Sequence, residues 1–320
     1  MSRRINKNNL IILLGFCCLL LLIALLICGA ALLSLSHRLS QKEAEPARTV
    51  DAQLLMDNAA LYNVSTEYLQ LLLPDYLVYR DGLEYVFAPL EQKLSRHEYD
   101  WSQLTYDFGR IHYQGAGEIS YGVDVSTYQQ KIDWLAVAGD DIDFAMVRLG
   151  YRGYSVGKLE QDEYAVANLD GAAAAGLDVG VYFFSQAITP EEAEEEARLA
   201  LQILDGRELR YPVVFDMEEI DNDQARTDTL SIAQRTEIAL AFCKEIKKAG
   251  YQPMIYGNIK WLAGRIDLTR LKDYPLWLAQ YYEKPLFPYM FQMWQYTDSG
   301  SVAGISTSVD LNICFQPFGK

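Results

Sequence analysis

From residue 119 onward the apolar and polar positions alternate between two periods. Short β-type runs fall at 122–125, 144–149, 179–184, 213–216, 254–256, 276–279, 291–296 and 309–313. Helical runs fill the early gaps: 160–175, closed by Gly176; 190–204, with Thr189 as N-cap and Pro190 at its first position; and 231–249, closed by Gly250. Strands alternating with helices predict parallel strands and crossover helices. The gaps after Tyr256 are short, so the second half must be poor in helices. The expected fold class is α/β, an irregular, helix-poor (β/α)8 TIM-like barrel over 119–320. A doubly wound open sheet is the runner-up, but the first strand ends in Asp124-Val125-Ser126, without a Gly-rich phosphate loop.

The chain before the barrel reads differently. Residues 10–36 carry no charge, a run long enough to cross a hydrocarbon core as a helix. Arg3, Arg4 and Lys7 precede it, so the positive-inside rule predicts a cytoplasmic tail at 1–9, a transmembrane helix at 10–36 and an extracytoplasmic remainder, a single-pass protein of the cell membrane. A cleaved signal peptide shares the basic start, but its apolar core is typically about 7–15 residues. Residues 37–118 are expected to form a stalk with a small α/β element: a polar stretch with Pro46, a helix over 51–73 stopped by Pro74, and a hairpin whose arms, 76–79 and 83–87, flank Arg80-Asp81-Gly82. No chemistry attaches to this region.

Composition narrows the function. Half of the residues are hydrophobic, enough for a sizeable core. The formal net charge is -15, and no Lys/Arg stripe offsets it, which argues against nucleic acid as a partner. Of five cysteines only Cys243 and Cys314 lie outside the apolar run, so there is no disulfide framework or metal cluster, and Cys243 reads as a buried thiol with one pairing to Cys314 as the alternative. His37, His97 and His112 all precede the barrel, which leaves it without a histidine triad or histidine metal site. The chemistry calls for no metal and no cofactor.

A barrel of this class keeps its active site where strands run into loops at the C-terminal face. Those positions hold Asp124; Tyr182, Phe184 and Gln186; Asp216 and Glu218; Trp277, Gln280 and Tyr281; Trp294 and Gln295; and Asp310 and Asn312. Because side chains alternate along a strand, Asp216 and Glu218 share a face while Met217 and Glu219 point oppositely. Two close carboxylates oppose double ionisation, so one can keep a proton beside an ionised partner, as glycosidic cleavage requires. The aromatics offer faces on which sugar rings stack. Asp133, Asp140, Asp141 and Asp143 read as caps and loop charges, and Glu191 to Glu196 as a helix start that then faces solvent.

Tyr121-Gly-Val-Asp-Val-Ser-Thr-Tyr-Gln129, Ile132-Asp-Trp134, Val147-Arg-Leu-Gly-Tyr151, Gly180-Val-Tyr-Phe-Phe184, Pro212 to Glu218, Trp277-Leu-Ala-Gln-Tyr281, Trp294-Gln-Tyr296 and Val309-Asp-Leu-Asn312 together resemble glycoside hydrolase family 25, the Chalaropsis-type lysozymes. The resemblance runs from about 120 to 315. It implies hydrolysis of the β-1,4 bond between N-acetylmuramic acid and N-acetylglucosamine in peptidoglycan glycan strands. It also implies Glu218 as general acid/base, Asp216 as its partner, Asp124 and Asp310 as further active-site acids, and Tyr182, Trp277, Tyr281 and Trp294 as pocket aromatics. Gln130 stands where the family has Gly, which alters a loop and no catalytic position.

Retention of configuration could use a carboxylate nucleophile or the substrate's own acetamido oxygen; the i, i+2 spacing of Asp216 and Glu218 favours the second, with Asp216 orienting that group. Family 18 chitinases share D-x-E but within D-x-x-D-x-D-x-E, which Tyr211, Val213 and Val214 break. The alternative of a different class is an inactive wall-binding or scaffold protein on the same barrel, against which the four acids argue. A tether at 10–36 would confine the enzyme to nearby wall, in cell-wall remodelling.

Overall fold

The eight expected strands are all present in the computed structural model, which describes residues 51–220, 223–316 and 318. They are β5 (Ser120–Val125), β6 (Phe144–Arg152), β8 (Asp178–Phe184), β9 (Val213–Asp216), β10 (Pro253–Asn258), β11 (Leu276–Ala279), β12 (Met293–Gly300) and β13 (Val309–Cys314). Their order β5-β13-β12-β11-β10-β9-β8-β6 closes through a β5–β6 pairing, and β7 (Leu159–Gln161) pairs with Gly150 to Arg152 of β6, beyond the stretch that β5 covers. All neighbours within the barrel are parallel except β13, which runs antiparallel to β12 and to β5. The barrel therefore departs from the all-parallel pattern at one strand.

The alternation of side chains makes two apolar layers. Phe144, Met146, Val214, Met254, Met293 and Cys314 point inward and pack together in the barrel. Gly122 leaves space for one of them, since a Cβ there would lie 2.3 Å from the Phe144 ring. The outward set, including Val181, Phe183 and Phe215, packs on α4 (Ala165–Ala174), α5 (Pro190–Leu204) and α6 (Ile232–Lys248), where Phe242, Cys243 and Ile246 are buried. Cys243 and Cys314 lie in different layers, and both are free thiols. Thr189 caps α5 and Ser231 caps α6 through its hydroxyl.

The described residues divide into two units after Asp57. The first, residues 51–57, carries most of α1 (Ala52–Asn58). In the second, α2 (Thr66–Leu72) leads into the hairpin of β1 (Tyr76–Asp81) and β2 (Glu84–Pro89). A further hairpin, β3 (Leu104–Asp107) with β4 (Arg110–Tyr113), escaped the sequence reading. These elements share the core of the barrel: Leu77, Tyr79, Leu90, Leu104, Ile111 and Tyr113 are buried in its outer layer. Where the described residues give the barrel no large helix, these elements supply the cover. Tyr99 stacks on Phe315 at 4.3 Å and donates its hydroxyl to the Phe291 carbonyl at 2.6 Å, and Trp101 packs on Phe291 and Trp294.

Some expectations need correction. The helix over 51–73 is two helices, because Asn63 adopts a left-handed φ of 45° and Ser65 then caps a new start. The helix over 160–175 begins only at Ala165, since Glu160 and Gln161 pair with Tyr151 and Gly150 of β6. Glu196 does not face solvent: it is fully buried against Arg152 at 2.8 Å. The single-pass membrane localisation is also corrected, because among the described residues no helix is long and apolar enough to cross a membrane. The run at 10–36 and the tail at 1–9 lie outside the described residues.

The aromatic cover should carry stability. Tyr99→Ala removes both the stack on Phe315 and a hydrogen bond, and is expected to cost about 2–4 kcal/mol. Urea unfolding of the full chain measures it, and a loss under about 0.5 kcal/mol, the range of an ordinary surface substitution, would show that this segment does not share the core's energetics.

Candidate active site

Strand geometry sets the site. In register, Phe184 of β8 and Tyr256 of β10 flank Asp216 of β9, and Trp277 of β11 lies beside Tyr256. Asp310 of β13 stands directly opposite Asp124 of β5. The sequence reading put Asp310 at the end of a strand. It lies instead at the start of one that runs the other way, which brings it to the rim where the parallel strands end. Asp124, Tyr182, Phe184, Asp216, Glu218, Trp277, Gln295 and Asp310 line one cavity of about 220 Å³. Past the end of β9 the alternation continues: Met217 is buried in the outer layer, and Glu219 pairs with Lys260 and Arg265. A larger open cleft of about 640 Å³ lies between the start of β11 and the segment around Leu94 and contains none of these acids.

A directed hydrogen-bond network fixes Asp124. Its Oδ2 accepts from Gln295 Nε2 at 2.9 Å and from Asn312 Nδ2 at 2.8 Å. Each amide oxygen is itself taken: Asn312 Oδ1 accepts from Trp277 Nε1 at 2.8 Å, and Gln295 Oε1 from the hydroxyls of Tyr256 at 2.9 Å and Tyr281 at 2.8 Å. Both amides therefore turn their N–H groups towards Asp124. Burial holds the Asp124 carboxyl above its ordinary range, and donation from Asn312, Asp310 and Gln295 limits the rise. Asp310 is pushed up to about 10, by burial and then by the charge of Asp124. The proton of this pair sits on Asp310, which donates it to Asp124.

The second pair is Asp216 and Glu218. Asp216 is 4% exposed. Its carboxyl is held well above the ordinary range, first by burial and then by the charges of Glu218 and Asp124, against the pull of Arg148. It shares a hydrogen bond with Glu218, while its Oδ1 is buried without a partner. Glu218 is half-buried, just beyond the end of β9. Gln186 Nε2 donates to its backbone carbonyl at 3.1 Å.

Not every expected residue reaches the cavity. Trp294 faces outward, because Met293 and Gln295 take the inward positions on β12; its indole donates to the Gln280 carbonyl and its ring packs on Trp101. Gln186, Gln280 and Asn312 are buried behind the wall, and Tyr281 is half-exposed, its hydroxyl on Gln295. The sequence reading missed Ser126, Tyr128, Gln129, Arg148 and Tyr256, which also line the cavity. Arg148 was legible as the one charge in the apolar run 144–149, at the same parity as Phe144 and Met146. It is fixed by Asp162 at 2.8 Å, and Asp162 also accepts the Thr127 amide at 3.0 Å.

Residues 123–305, more than half of the chain, match the family model of the glycosyl hydrolases family 25. The chain belongs to this family. It is 28% identical over 192 residues to the autolytic lysozyme of Clostridium acetobutylicum, covering 60% of this chain and 54% of that one. Over 206 residues it is 32% identical to the uncharacterized protein YegX of Escherichia coli O157:H7, covering 60% of this chain and 68% of the relative. Among solved structures, the modular autolysin LytC from Streptococcus pneumoniae superposes with a TM-score of 0.55 at 23% identity, over 66% of this chain and 51% of that chain. The chain thus spans about half the length of two of these proteins. Family membership makes it a glycoside hydrolase, and peptidoglycan hydrolysis is the function its lysozyme relatives support. The family match ends before Asp310 and Asn312, which strand pairing alone brings to the site.

Asp310 gives a pH test. Unfolded, its carboxyl ionises in the ordinary range; folded, it keeps its proton to about 10. The folded state then binds more protons between those values, so this group's contribution to stability is complete at acid pH and is lost as pH rises. Asp310→Asn keeps a donor towards Asp124 but cannot ionise. Its stability relative to wild type, read by urea unfolding, should climb from about pH 5 to about pH 9. A pH-independent difference would place the proton elsewhere.

Proposed function

We propose that the chain is a peptidoglycan hydrolase of the lysozyme type, an N-acetylmuramidase that cleaves the β-1,4 bond between N-acetylmuramic acid and N-acetylglucosamine. The catalytic unit is the barrel over 119–320. The observation that carries this reading is the meeting of Asp124, Asp216, Glu218 and Asp310 on one cavity wall in a family 25 barrel. Tyr182, Phe184 and Trp277 give the cavity aromatic walls suited to sugar rings.

Glu218 acts as acid and then base. It protonates the leaving glycosidic oxygen while the acetamido oxygen of the same muramic acid residue attacks the anomeric carbon, breaking the glycosidic bond and forming a cyclic oxazolinium. Asp216 takes the acetamido N–H, a role suited to its buried, unpartnered Oδ1. The hydrogen bond between the two carboxyls lets the proton held by Asp216 pass to Glu218 and arm it. Glu218 next removes a proton from water, whose oxygen attacks the same carbon and restores the acetamido group with net retention. Asp124, held as an anion by Gln295 and Asn312, steadies the positive charge that develops at the sugar.

Loss of a general acid costs about 10²–10⁴ in rate, so Glu218→Gln should nearly abolish muropeptide release from purified sacculi. Mass spectrometry of wild-type products should find reducing-end muramic acid. Reducing-end glucosamine would make the enzyme a glucosaminidase, and a wild type that releases nothing while binding sacculi would favour a wall-binding protein.

A further inference from the structure

Glu219 follows the proposed acid and points the opposite way, into an ion cluster that the reaction does not use. Its carboxylate meets Lys260 and, at 2.5 Å, Arg265 Nε. Both cations also grip Asp81, Lys260 at 2.9 Å and Arg265 at 2.6 Å. Lys260 lies in α7 (Ile259–Gly264), which leaves the end of β10 beside β9, and Arg265 caps the same helix. Asp81 ends β1, which precedes the family match altogether. The hairpin is seated closely here: Tyr79 is buried, and a Cβ on Gly264 would come within 2.6 Å of its hydroxyl. On the opposite side, Gln186 holds the Glu218 carbonyl and is itself bonded by the Thr227 hydroxyl at 2.9 Å.

We propose that Asp81 is a positioning residue for catalysis: through Lys260 and Arg265 it fixes Glu219, and so the backbone that aims Glu218 into the cavity. The inference rests on the reading of Glu218 as the acid. An isolated surface ion pair contributes little, but here two carboxylates share two cations across three segments of chain, so the set acts as a clamp on one short stretch of backbone. Its loss leaves the cavity wall intact and misdirects one carboxyl, and a displacement of about 1 Å in such a group can cost up to about 10²-fold in rate.

The test compares Asp81→Asn, Asp81→Glu and Glu218→Gln in the full chain, measuring kcat and KM on defined peptidoglycan fragments alongside thermal melting. Asp81→Asn should lower kcat about tenfold with KM within about twofold and melting little changed, and Asp81→Glu should restore most of the loss. Wild-type kcat in Asp81→Asn beside an inactive Glu218→Gln would overturn the clamp and leave the functional reading standing. So would a loss that follows the unfolded fraction or that Asp81→Glu fails to repair. Full activity in Glu218→Gln would remove the functional reading and the clamp with it.

Discussion

An ionised carboxylate buried in a barrel sets the terms for this structure. Taking such a group out of water costs several kcal/mol unless donors replace the lost hydration. Asp124 receives that replacement from Gln295, Asn312 and the proton of Asp310. The amides can serve only because Trp277, Tyr256 and Tyr281 occupy their oxygens. Residues from β5, β10, β11, β12 and β13, with Tyr281 just beyond β11, are thereby committed to one anion. On this side of the cavity the orientation of the polar wall follows from that charge.

The reversed strand is what makes the arrangement possible. A parallel β13 would begin at the far end of the barrel and carry Asp310 away from Asp124. Running antiparallel, it places Asp310 and Asn312 on one face two residues apart, one to share a proton with Asp124 and one to donate an amide. The reversal had a trace in the sequence. Only residues 301–308 separate β12 from β13, fewer than the dozen or so that a parallel crossover needs.

Much of the rest was legible, and the misses have physical causes. All eight strands could be read because each is a short apolar run bounded by turn residues, and the helices at 190–204 and 231–249 because Thr189 and Ser231 mark their starts. Asp216 and Glu218 were found by parity. The same parity, applied to β12, would have turned Trp294 outward, since Gln295 and Trp294 cannot both face the cavity. Glu196 misled because a run of acids at a helix start resembles a solvated face; its partner Arg152 lies 44 positions earlier, a pairing that local sequence does not contain.

The region before the barrel was the least legible part, and the reason lies in the helix-poor half. A barrel strand is apolar on both faces and needs an outer layer as well as an inner one. Among the described residues large helices are missing from β11 round to β5, and local pattern cannot tell what replaces them. Tyr99, Trp101 and Tyr113 do so by packing on Phe291, Trp294 and Phe315, the last two of which face outward with the outer layer. Cover of this kind ties the chain before the barrel to the strands that hold Asp124, Gln295 and Asn312. A segment that began as a missing helical layer is thus coupled to the geometry of the buried anion, and the chemistry of the rim depends on residues that the family match does not reach.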